Sequence, residues 1–258
     1  IAGNTGGALF YNHDNSDSAG SVSSNIIFNN SGSPVVYLSG NRLSDYVYDD
    51  QGNSSVVYST GLEVKNNTIV GNSGGDTMSV KGSVVFNNNN VYNNGGTYEL
   101  VSRNALGTDA LNIESNYWGT SDASAIATKV YDWNEDSSLG FVDYTPHETA
   151  VITSNPIAPP SGVSGQTGPT TMQLSWTANA ESDIAGYKVY YDTDGSGYPY
   201  ANSVSTGSTG TSYTLTGLTT GTAYYVAVAA VDSDGNESWI SVEVSGTAAS
   251  TPIDLALT

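Results

Sequence analysis

A short frame, I-x-x-N-(S/T)-G-G, recurs along the first half of the chain and restricts the fold more than any other feature. Complete copies begin at Ile1 and Ile69, and near-copies begin at Ile27 and Val91. Extended backwards, the frame reads apolar-x-x-Asn-x-apolar-x-x-Asn, with equivalent asparagines at Asn25, Asn67, Asn89 and, in a degraded copy, Asn116. Because one copy is too short to form a core alone, neighbouring copies have to pack against each other.

The spacing of these copies predicts a parallel β-helix. Copies start at positions 1, 27, 69, 91 and 118, and intervals of 22 to 27 residues suit one turn of such a solenoid. The interval of 42 residues between Ile27 and Ile69 suits one turn that carries an insertion. Alternate apolar residues then fill the interior, and we expect the following to point inward: Val22, Ile27, Val64, Ile69, Phe86, Val91, Ile113 and Trp118.

Asparagine suits the bends of such a turn. Its amide bonds the local backbone, tolerates left-handed dihedral angles and can pair with an asparagine one turn away. We therefore expect Asn25, Asn67, Asn89 and Asn116 to form one column on successive turns, with a folding role rather than a catalytic one. Because Ile1 lies inside a copy, the first turn is expected to expose a strand edge, which upstream turns cover or on which a second copy of the chain docks.

Charge and cysteine content restrict the partners. The chain has 6 Lys and Arg against 25 Asp and Glu, a net charge of −19, so nucleic acid and anionic membrane surfaces are unfavourable partners. It has no cysteine, which excludes disulfides and thiolate metal sites. No apolar run approaches the roughly 18 residues of a membrane-spanning helix. An acidic, polar surface of this kind predicts a secreted protein, extracellular or at the cell surface.

Residues 120–146 predict a cap on the solenoid. Asp122 is a suitable N-cap, and Ile126, Val130 and Trp133 have the spacing of one face of a short helix. The stretches 116–120 and 130–146 resemble the closing segment of right-handed parallel β-helix surface proteins. The resemblance covers residues 1 to about 146 and implies that fold with a capping helix. It implies no single activity, because that family includes lyases, hydrolases, adhesins and phage spikes.

A different pattern follows a proline-rich stretch at 155–162. Short predicted strands separated by turn residues indicate a β-sandwich, at 172–176, 186–191, 212–215, 223–231 and 239–244. Trp176, the L-T-T-G-T-A-Y run at 218–224 and the V-D-S-D-G-N-E-S run at 231–238 resemble a fibronectin type III domain. The resemblance spans 159–247 and implies a spacer or docking module of a secreted multidomain protein. The predicted organisation is all-β, with the β-helix and its cap at 1–154, a linker at 155–162, the sandwich at 163–247 and a linker or tail at 248–258.

The insertion between Ile27 and Ile69 is the first candidate site. Its loop at 40–54 brings aromatic, acidic and basic residues together: Arg42, Asp45, Tyr46, Tyr48 and Asp49. Such a set suits a glycan, because an aromatic ring stacks on pyranose C–H groups while polar side chains bond the hydroxyls. The alternative is an ordinary loop in which Tyr46 and Tyr48 pack on the solenoid.

Two cations form a second candidate site. Lys81 and Arg103 each lie nine residues after a repeat asparagine, so they are expected to stack on adjacent turns, with Glu99 nearby. Polysaccharide lyases of the β-helix fold, which this segment resembles, use Lys or Arg as a base. The alternative is a surface cation ladder that offsets the acidic field, and the absence of a lyase motif favours this non-catalytic interpretation.

Two Asp-x-Asp-Gly stretches form a third candidate site. Their carboxylates could hold Ca²⁺ through closely spaced oxygens, at Asp192, Asp194, Asp232 and Asp234. Because Asp-Gly is also a common hairpin turn signal, ordinary turn chemistry is the preferred interpretation, with no cofactor.

The features together predict a secreted, modular, structural or binding protein. Adhesion or extracellular assembly is its expected role, with a polysaccharide or cell-surface glycan bound on the β-helix flank. The alternative is the C-terminal part of a polysaccharide lyase or glycoside hydrolase whose cleft lies on the β-helix.

Overall fold

The structure is a computed structural model that describes residues 1–4, 9–13, 20–40, 43–48, 54–59, 61–195 and 197–249; at 10–13, 43–48 and 54–59 it describes the backbone. The chain divides into two compact units, an N-terminal unit, Ile1–Pro156, and a C-terminal unit, Ile157–Thr258. Within the described residues the fold is all-β, with 24 strands and a single helix of five residues. No helix in that part of the chain is long and apolar enough to cross a membrane.

Short strands make up the N-terminal unit. They are β1 (Leu9–His13), β2 (Gly20–Ser23), β3 (Ile26–Phe28), β4 (Ser31–Gly32), β5 (Val36–Gly40), β6 (Leu43–Tyr48), β7 (Ser54–Ser59), β8 (Leu62–Lys65), β9 (Thr68–Val70), β10 (Ser73–Gly74), β11 (Met78–Gly82), β12 (Val84–Asn87), β13 (Asn90–Tyr92), β14 (Leu100–Ser102), β15 (Leu111–Asn112), β16 (Val130–Tyr131) and β17 (Val142–Asp143).

Equivalent strands of successive repeats pair in parallel. The largest sheet has the order β1-β5-β11-β14-β16, and two three-stranded sheets have the orders β12-β8-β2 and β13-β9-β3. Val64 of β8 pairs with Val22 on one side and with Phe86 on the other. Ile69 of β9 likewise pairs with Ile27 and Val91. The repeat positions aligned in the sequence are therefore neighbours in space.

One apolar core runs through the N-terminal unit. All eight residues expected to point inward are buried: Val22, Ile27, Val64, Ile69, Phe86, Val91, Ile113 and Trp118. The largest parallel sheet adds Leu38, Met78 and Leu100, which are completely buried and which the repeat frame did not include. Each such side chain stabilises the fold by about 1.5–3 kcal/mol relative to an exposed one.

The expected asparagine column is present. Asn25 Nδ2 donates to Asn67 Oδ1 at 3.0 Å, Asn67 Nδ2 to Asn89 Oδ1 at 2.9 Å, and Asn89 Nδ2 to Asn116 Oδ1 at 3.0 Å. The backbone N–H of each donor residue binds the same oxygen. The residue before each of the four asparagines has a positive φ, which turns the chain at the bend. We call this column the first ladder.

A second ladder, which the sequence did not predict as a column, runs through Asn4, Asn30, Asn72 and Asn94. The Nδ2–Oδ1 distances are 2.9 Å from Asn4 to Asn30, 3.0 Å from Asn30 to Asn72 and 2.9 Å from Asn72 to Asn94. Buried amides in both ladders satisfy each other and the neighbouring carbonyls, so they can lie at the core without an unpaired polar group.

The insertion takes a regular form. Strands β6 and β7 pair antiparallel, from Leu43 opposite Ser59 to Tyr48 opposite Ser54. The sequence predicted a loop here, but valine and tyrosine are frequent in both segments and favour extended, paired backbone.

The predicted capping helix is shorter than expected. Helix α1 spans Ala123–Ala127, and the Asp122 side chain caps it by accepting a hydrogen bond from Ser124 N at 2.9 Å. The prediction that Val130 and Trp133 share a helix face with Ile126 was wrong. Val130 instead pairs with Leu100 in the largest sheet, and Trp133 is 38% exposed. The chain leaves the helix early because β14 offers an edge on which β16 pairs.

The C-terminal unit is a sandwich of two antiparallel sheets. Its strands are β18 (Ser161–Thr167), β19 (Thr171–Thr177), β20 (Ile184–Asp192), β21 (Asn202–Ser205), β22 (Ser212–Thr216), β23 (Ala223–Asp232) and β24 (Val244–Thr247). The sheet orders are β18-β19-β22 and β21-β20-β23-β24. Trp176, Tyr187 and Val228 are among the residues that form the core between the sheets. Strands β18 and β21 were not predicted.

The segment before β24 departs from the prediction of a strand at 239–244. Ser238 and Ser241 connect this segment to β23. Their side-chain hydroxyls accept hydrogen bonds from backbone N–H groups of β23, where a paired strand would offer carbonyl oxygens. Ser238 Oγ accepts from Ala230 N at 2.9 Å, and Ser241 Oγ accepts from Val228 N at 3.0 Å. Because two residues separate these serines, the backbone between them leaves the sheet, and Trp239 is held at the surface.

Candidate functional site

Four aromatic residues form two ring pairs on the outside of the C-terminal unit, and we call these residues together the aromatic face. Its members are Tyr190, Tyr198, Tyr200 and Trp239. Strand β20 supplies Tyr190 by alternation: Tyr187 and Val189 point into the core, so Lys188 and Tyr190 point outward.

The exposed part of the aromatic face is the pair of Tyr198 and Trp239. Their ring centroids lie 5.1 Å apart with an interplanar angle of 48°. Tyr198 is 56% exposed and Trp239 is 48% exposed, and neither belongs to the sandwich core. The two rings therefore present apolar surface to solvent without stabilising the core.

The other two tyrosines each hold a carboxylate. Tyr190 donates its hydroxyl to Glu237, and Tyr200 donates its hydroxyl to Glu243. Burial raises the pKa of both tyrosines above the usual range, and the neighbouring carboxylates raise the pKa further. Both hydroxyls thus stay protonated at neutral pH and fix the positions of the two carboxylates.

Lys188 completes the polar rim of the aromatic face. Its Nζ lies 3.2 Å from Glu237 Oε2 and 4.8 Å from the centroid of the Tyr190 ring. The hydrogen bond with Tyr190 and the charge of Glu237 raise the pKa of Lys188, so the amine stays charged. The face therefore combines exposed rings, oriented acceptors and a fixed cation, which are the groups that stack on and hydrogen-bond a sugar.

The sequence did not single out the aromatic face. Its residues come from three separate segments, and only the pairing of β20 with β23 and the serine bridges bring them together. The G-Y-P-Y run at 197–200 was the available signal, because turns lie at the surface and two tyrosines in a turn therefore indicate a role outside the core.

The glycan site predicted in the insertion lies largely outside the described residues. Arg42 and Asp49 belong to the parts that the structure does not describe. The backbone of Asp45, Tyr46 and Tyr48 lies on β6, opposite β7.

The two predicted stacking cations are neighbours. Val80 of β11 pairs with Ser102, the last residue of β14; Lys81 and Arg103 are the residues that follow these two, and both are exposed. Arg103 Nε donates to Ser79 Oγ at 3.2 Å. Glu99 is not free to act with them, because it is buried and lies 3.7 Å from Lys129 Nζ.

The two Asp-x-Asp-Gly stretches differ from each other. Asp232 accepts hydrogen bonds from within its own turn, whereas the Asp192 carboxylate is buried and has no partner in the described part of the chain. Asp194 and Asp234 are exposed. Among the described residues, no three His, Asp or Glu side chains lie close enough together to hold a metal ion.

Comparisons with known proteins identify the C-terminal unit. Residues 158–245 match the family model of the fibronectin type III domain. Two similar proteins come from Cellulomonas fimi. Exoglucanase B is 37% identical over 107 residues, 41% of this chain and 9% of its own length. Exoglucanase A is 40% identical over 101 residues, 38% of this chain and 11% of its own length.

The chain thus spans about a tenth of the length of these relatives. Among solved structures, a Fn3-like protein from Clostridium thermocellum is 36% identical, with a TM-score of 0.31, over 34% of this chain and 90% of that one. The family match shows that residues 158–245 form a fibronectin type III domain, and this prediction is confirmed.

Proposed function

We propose that this chain belongs to a secreted, modular protein that works on polysaccharides, and that its fibronectin type III domain binds glycan through the aromatic face. The observation that carries this proposal is the exposed Tyr198–Trp239 pair beside two tyrosine-held carboxylates. The two relatives that share this part of the chain are named exoglucanases, which supports a polysaccharide context.

Charge indicates which glycans fit. Glu237 and Glu243 accept hydrogen bonds from sugar hydroxyls but repel carboxylates, and the chain as a whole carries a net charge of −19. Lys188 already pairs with Glu237, so it offers little free positive charge. The aromatic face therefore suits a neutral, hydroxyl-rich polysaccharide better than a polyuronate.

For the N-terminal unit, we propose consecutive turns of a right-handed parallel β-helix over residues 1 to about 146. The parallel register between successive repeats and the two asparagine ladders support it. The usual hand of parallel crossovers supports a right-handed coil. Such a stack is a rigid scaffold, suited to adhesion or extracellular assembly.

A second candidate function is catalysis on the flank of this unit, as part of a polysaccharide lyase. The adjacency of Lys81 and Arg103 favours it, because Lys and Arg are the residue types that polysaccharide lyases of the β-helix fold use as a base. An absorbance assay for unsaturated uronate products tests it. Catalysis is supported if the wild-type chain forms product, if Lys81→Ala and Arg103→Ala do not, and if Lys65→Ala still does.

Affinity electrophoresis tests the glycan proposal. The chain is run in gels that contain a soluble neutral β-glucan or polygalacturonate, and we expect retardation only by the neutral polymer. Trp239→Ala should weaken binding about tenfold, because a stacked aromatic contributes about 1.4 kcal/mol.

Trp133→Ala is the matched control, because Trp133 is also exposed and pairs with Phe141 at 4.8 Å in the N-terminal unit. Equal losses in the two variants, or no retardation by any neutral polysaccharide, contradict a binding role for the aromatic face.

A further inference from the structure

The chain contains one short acidic motif twice in the same domain, and the two copies differ in how their first aspartate is satisfied. Both read Asp-x-Asp-Gly and both begin at the end of a long strand, since Asp192 is the last residue of β20 and Asp232 is the last residue of β23. The second copy therefore serves as an internal reference for the first.

In the second copy the turn itself satisfies the carboxylate. Asp232 Oδ1 accepts from Asp234 N at 3.0 Å and from Asn236 N at 2.7 Å, and Oδ2 accepts from Asn236 Nδ2 at 2.8 Å. These bonds, the Asn236 side chain first, lower the pKa of Asp232. Nothing further is needed to hold this group as an anion.

The first copy lacks these bonds. Asp192 is only 5% exposed, and both of its carboxylate oxygens are buried without a hydrogen-bond partner in the described part of the chain. No described ion pair includes it, since the three pairs are Lys65–Glu63, Lys129–Glu99 and Lys188–Glu237. A buried carboxylate in this state carries a large desolvation penalty.

The surroundings of Asp192 are aromatic and acidic. Asp192 pairs with Tyr225 across the sheet, and the turn folds so closely over the Tyr225 ring that a Cβ at Gly195 would touch it at 2.6 Å. Tyr200 lies near enough for the Asp192 charge to contribute to its raised pKa, although burial and Glu243 contribute more. The described neighbours therefore supply negative charge and no cation.

We propose that Asp192 is a ligand of a divalent cation, with Ca²⁺ as the expected ion, in the turn that leads to Tyr198. Carboxylate oxygen is the ligand that Ca²⁺ prefers, and loop carbonyls and water complete the roughly six to eight oxygens it takes. Because the described residues hold no cluster of three acidic groups, the expected dissociation constant is about 10⁻⁴–10⁻³ M, as in extracellular modules. The cation proposal does not rest on the glycan proposal, and the experiment below measures no glycan binding, so either proposal can fail alone.

Calorimetry of the whole chain, first treated with a chelator, tests this site. Adding about 10 mM CaCl₂ should raise the unfolding temperature of the fibronectin type III domain by roughly 5 °C. Tb³⁺ used as a probe should show tyrosine-sensitised luminescence that Ca²⁺ displaces, because Tyr200 and Tyr225 lie beside the site.

Asp192→Asn should abolish both signals. Asp232→Asn is the matched control, which should lower the unfolding temperature through its turn and keep the Ca²⁺ response. The proposal is overturned by a wild-type chain that does not respond to Ca²⁺ at that concentration, or by an equal response in Asp192→Asn.

Discussion

Asn94 donates its side-chain Nδ2 to Glu99 Oε2 at 2.9 Å, and its backbone N–H binds the same carboxylate. Every earlier asparagine of the second ladder uses these two donors on the Oδ1 of the next asparagine. Glu99 therefore ends the second ladder by supplying the oxygen that a further asparagine would have supplied. It does so at the cost of burying a charge, because Glu99 is only 5% exposed.

This arrangement predicts a pH-dependent stability. Burial raises the pKa of Glu99 above its usual value, although Lys129 and the bonds from Asn94 oppose the shift. A carboxyl whose pKa is higher in the folded state stabilises the fold at low pH. That contribution is present below the unfolded pKa and is lost as pH rises through the folded pKa. Glu99→Gln places no ionisable group at this position, so the variant should not lose this stability as pH rises. Its free energy of unfolding at pH 7 should therefore be higher than that of the wild-type chain by about 1 kcal/mol.

Urea unfolding of the wild-type chain and of Glu99→Gln, each at several pH values, measures the effect. Glu99→Leu is the informative control, because it removes the charge and the acceptor together. It leaves the Asn94 donors unpaired, which should cost about 1–3 kcal/mol at every pH. A Gln variant that unfolds as easily as the Leu variant contradicts the role of Glu99 as a ladder end.

The interior of the first ladder should tolerate substitution poorly. Asn67 Nδ2 donates to Asn89 Oδ1, Val22 O and Lys65 O, and Asn67 is fully buried. Asn67→Leu should lower the free energy of unfolding by roughly 3 kcal/mol or more, because it leaves several buried groups unpaired. Urea denaturation measures the loss, with Asn4→Ala as the control at an exposed ladder position. Similar losses in both variants would show that the ladder does not act as a buried network.

The serine bridges predict a coupling between stability and the aromatic face. Ser241→Ala removes the acceptor of the buried Val228 N–H, which should cost about 1–3 kcal/mol and loosen the backbone that holds Trp239. We expect weaker retardation by neutral glycan in affinity electrophoresis, together with a lower unfolding temperature. Ser212→Ala is the control, because Ser212 lies exposed on β22 of the other sheet. Unchanged glycan binding in a destabilised Ser241→Ala chain contradicts the positioning role of the bridge.

The sequence predicted what depends on local pattern. The apolar periodicity identified the eight inward residues, and the repeat spacing identified the first ladder, because both follow from the same alternation and bends in every copy. The fibronectin type III domain was predicted from Trp176 and the flanking motifs for the same reason.

Features that depend on tertiary pairing were missed or misplaced. The spacing of Ile126, Val130 and Trp133 fitted a helix, but the free edge of β14 drew Val130 into a strand. The aromatic face depends on hydroxyl acceptors at Ser238 and Ser241, which no periodicity shows. The orphaned carboxylate of Asp192 was equally invisible, because its motif is the same as the one whose turn satisfies Asp232.

Two glycines with positive φ allow a test of how closely the parallel strands of the N-terminal unit pack. Gly82 has a φ of 80°, and a Cβ there would overlap the carbonyl oxygen of Gly40 on the neighbouring strand, whereas Gly71 has a φ of 65° and nothing within 4 Å of its Cβ position. Gly71→Ala should therefore cost only about 1 kcal/mol, from the left-handed backbone. Gly82→Ala adds a backbone clash that forces two strands apart, and it should cost roughly 3 kcal/mol or more. Urea denaturation of both variants measures the difference, and equal costs would mean that the strands at Gly40 and Gly82 do not stack as closely as the structure has them.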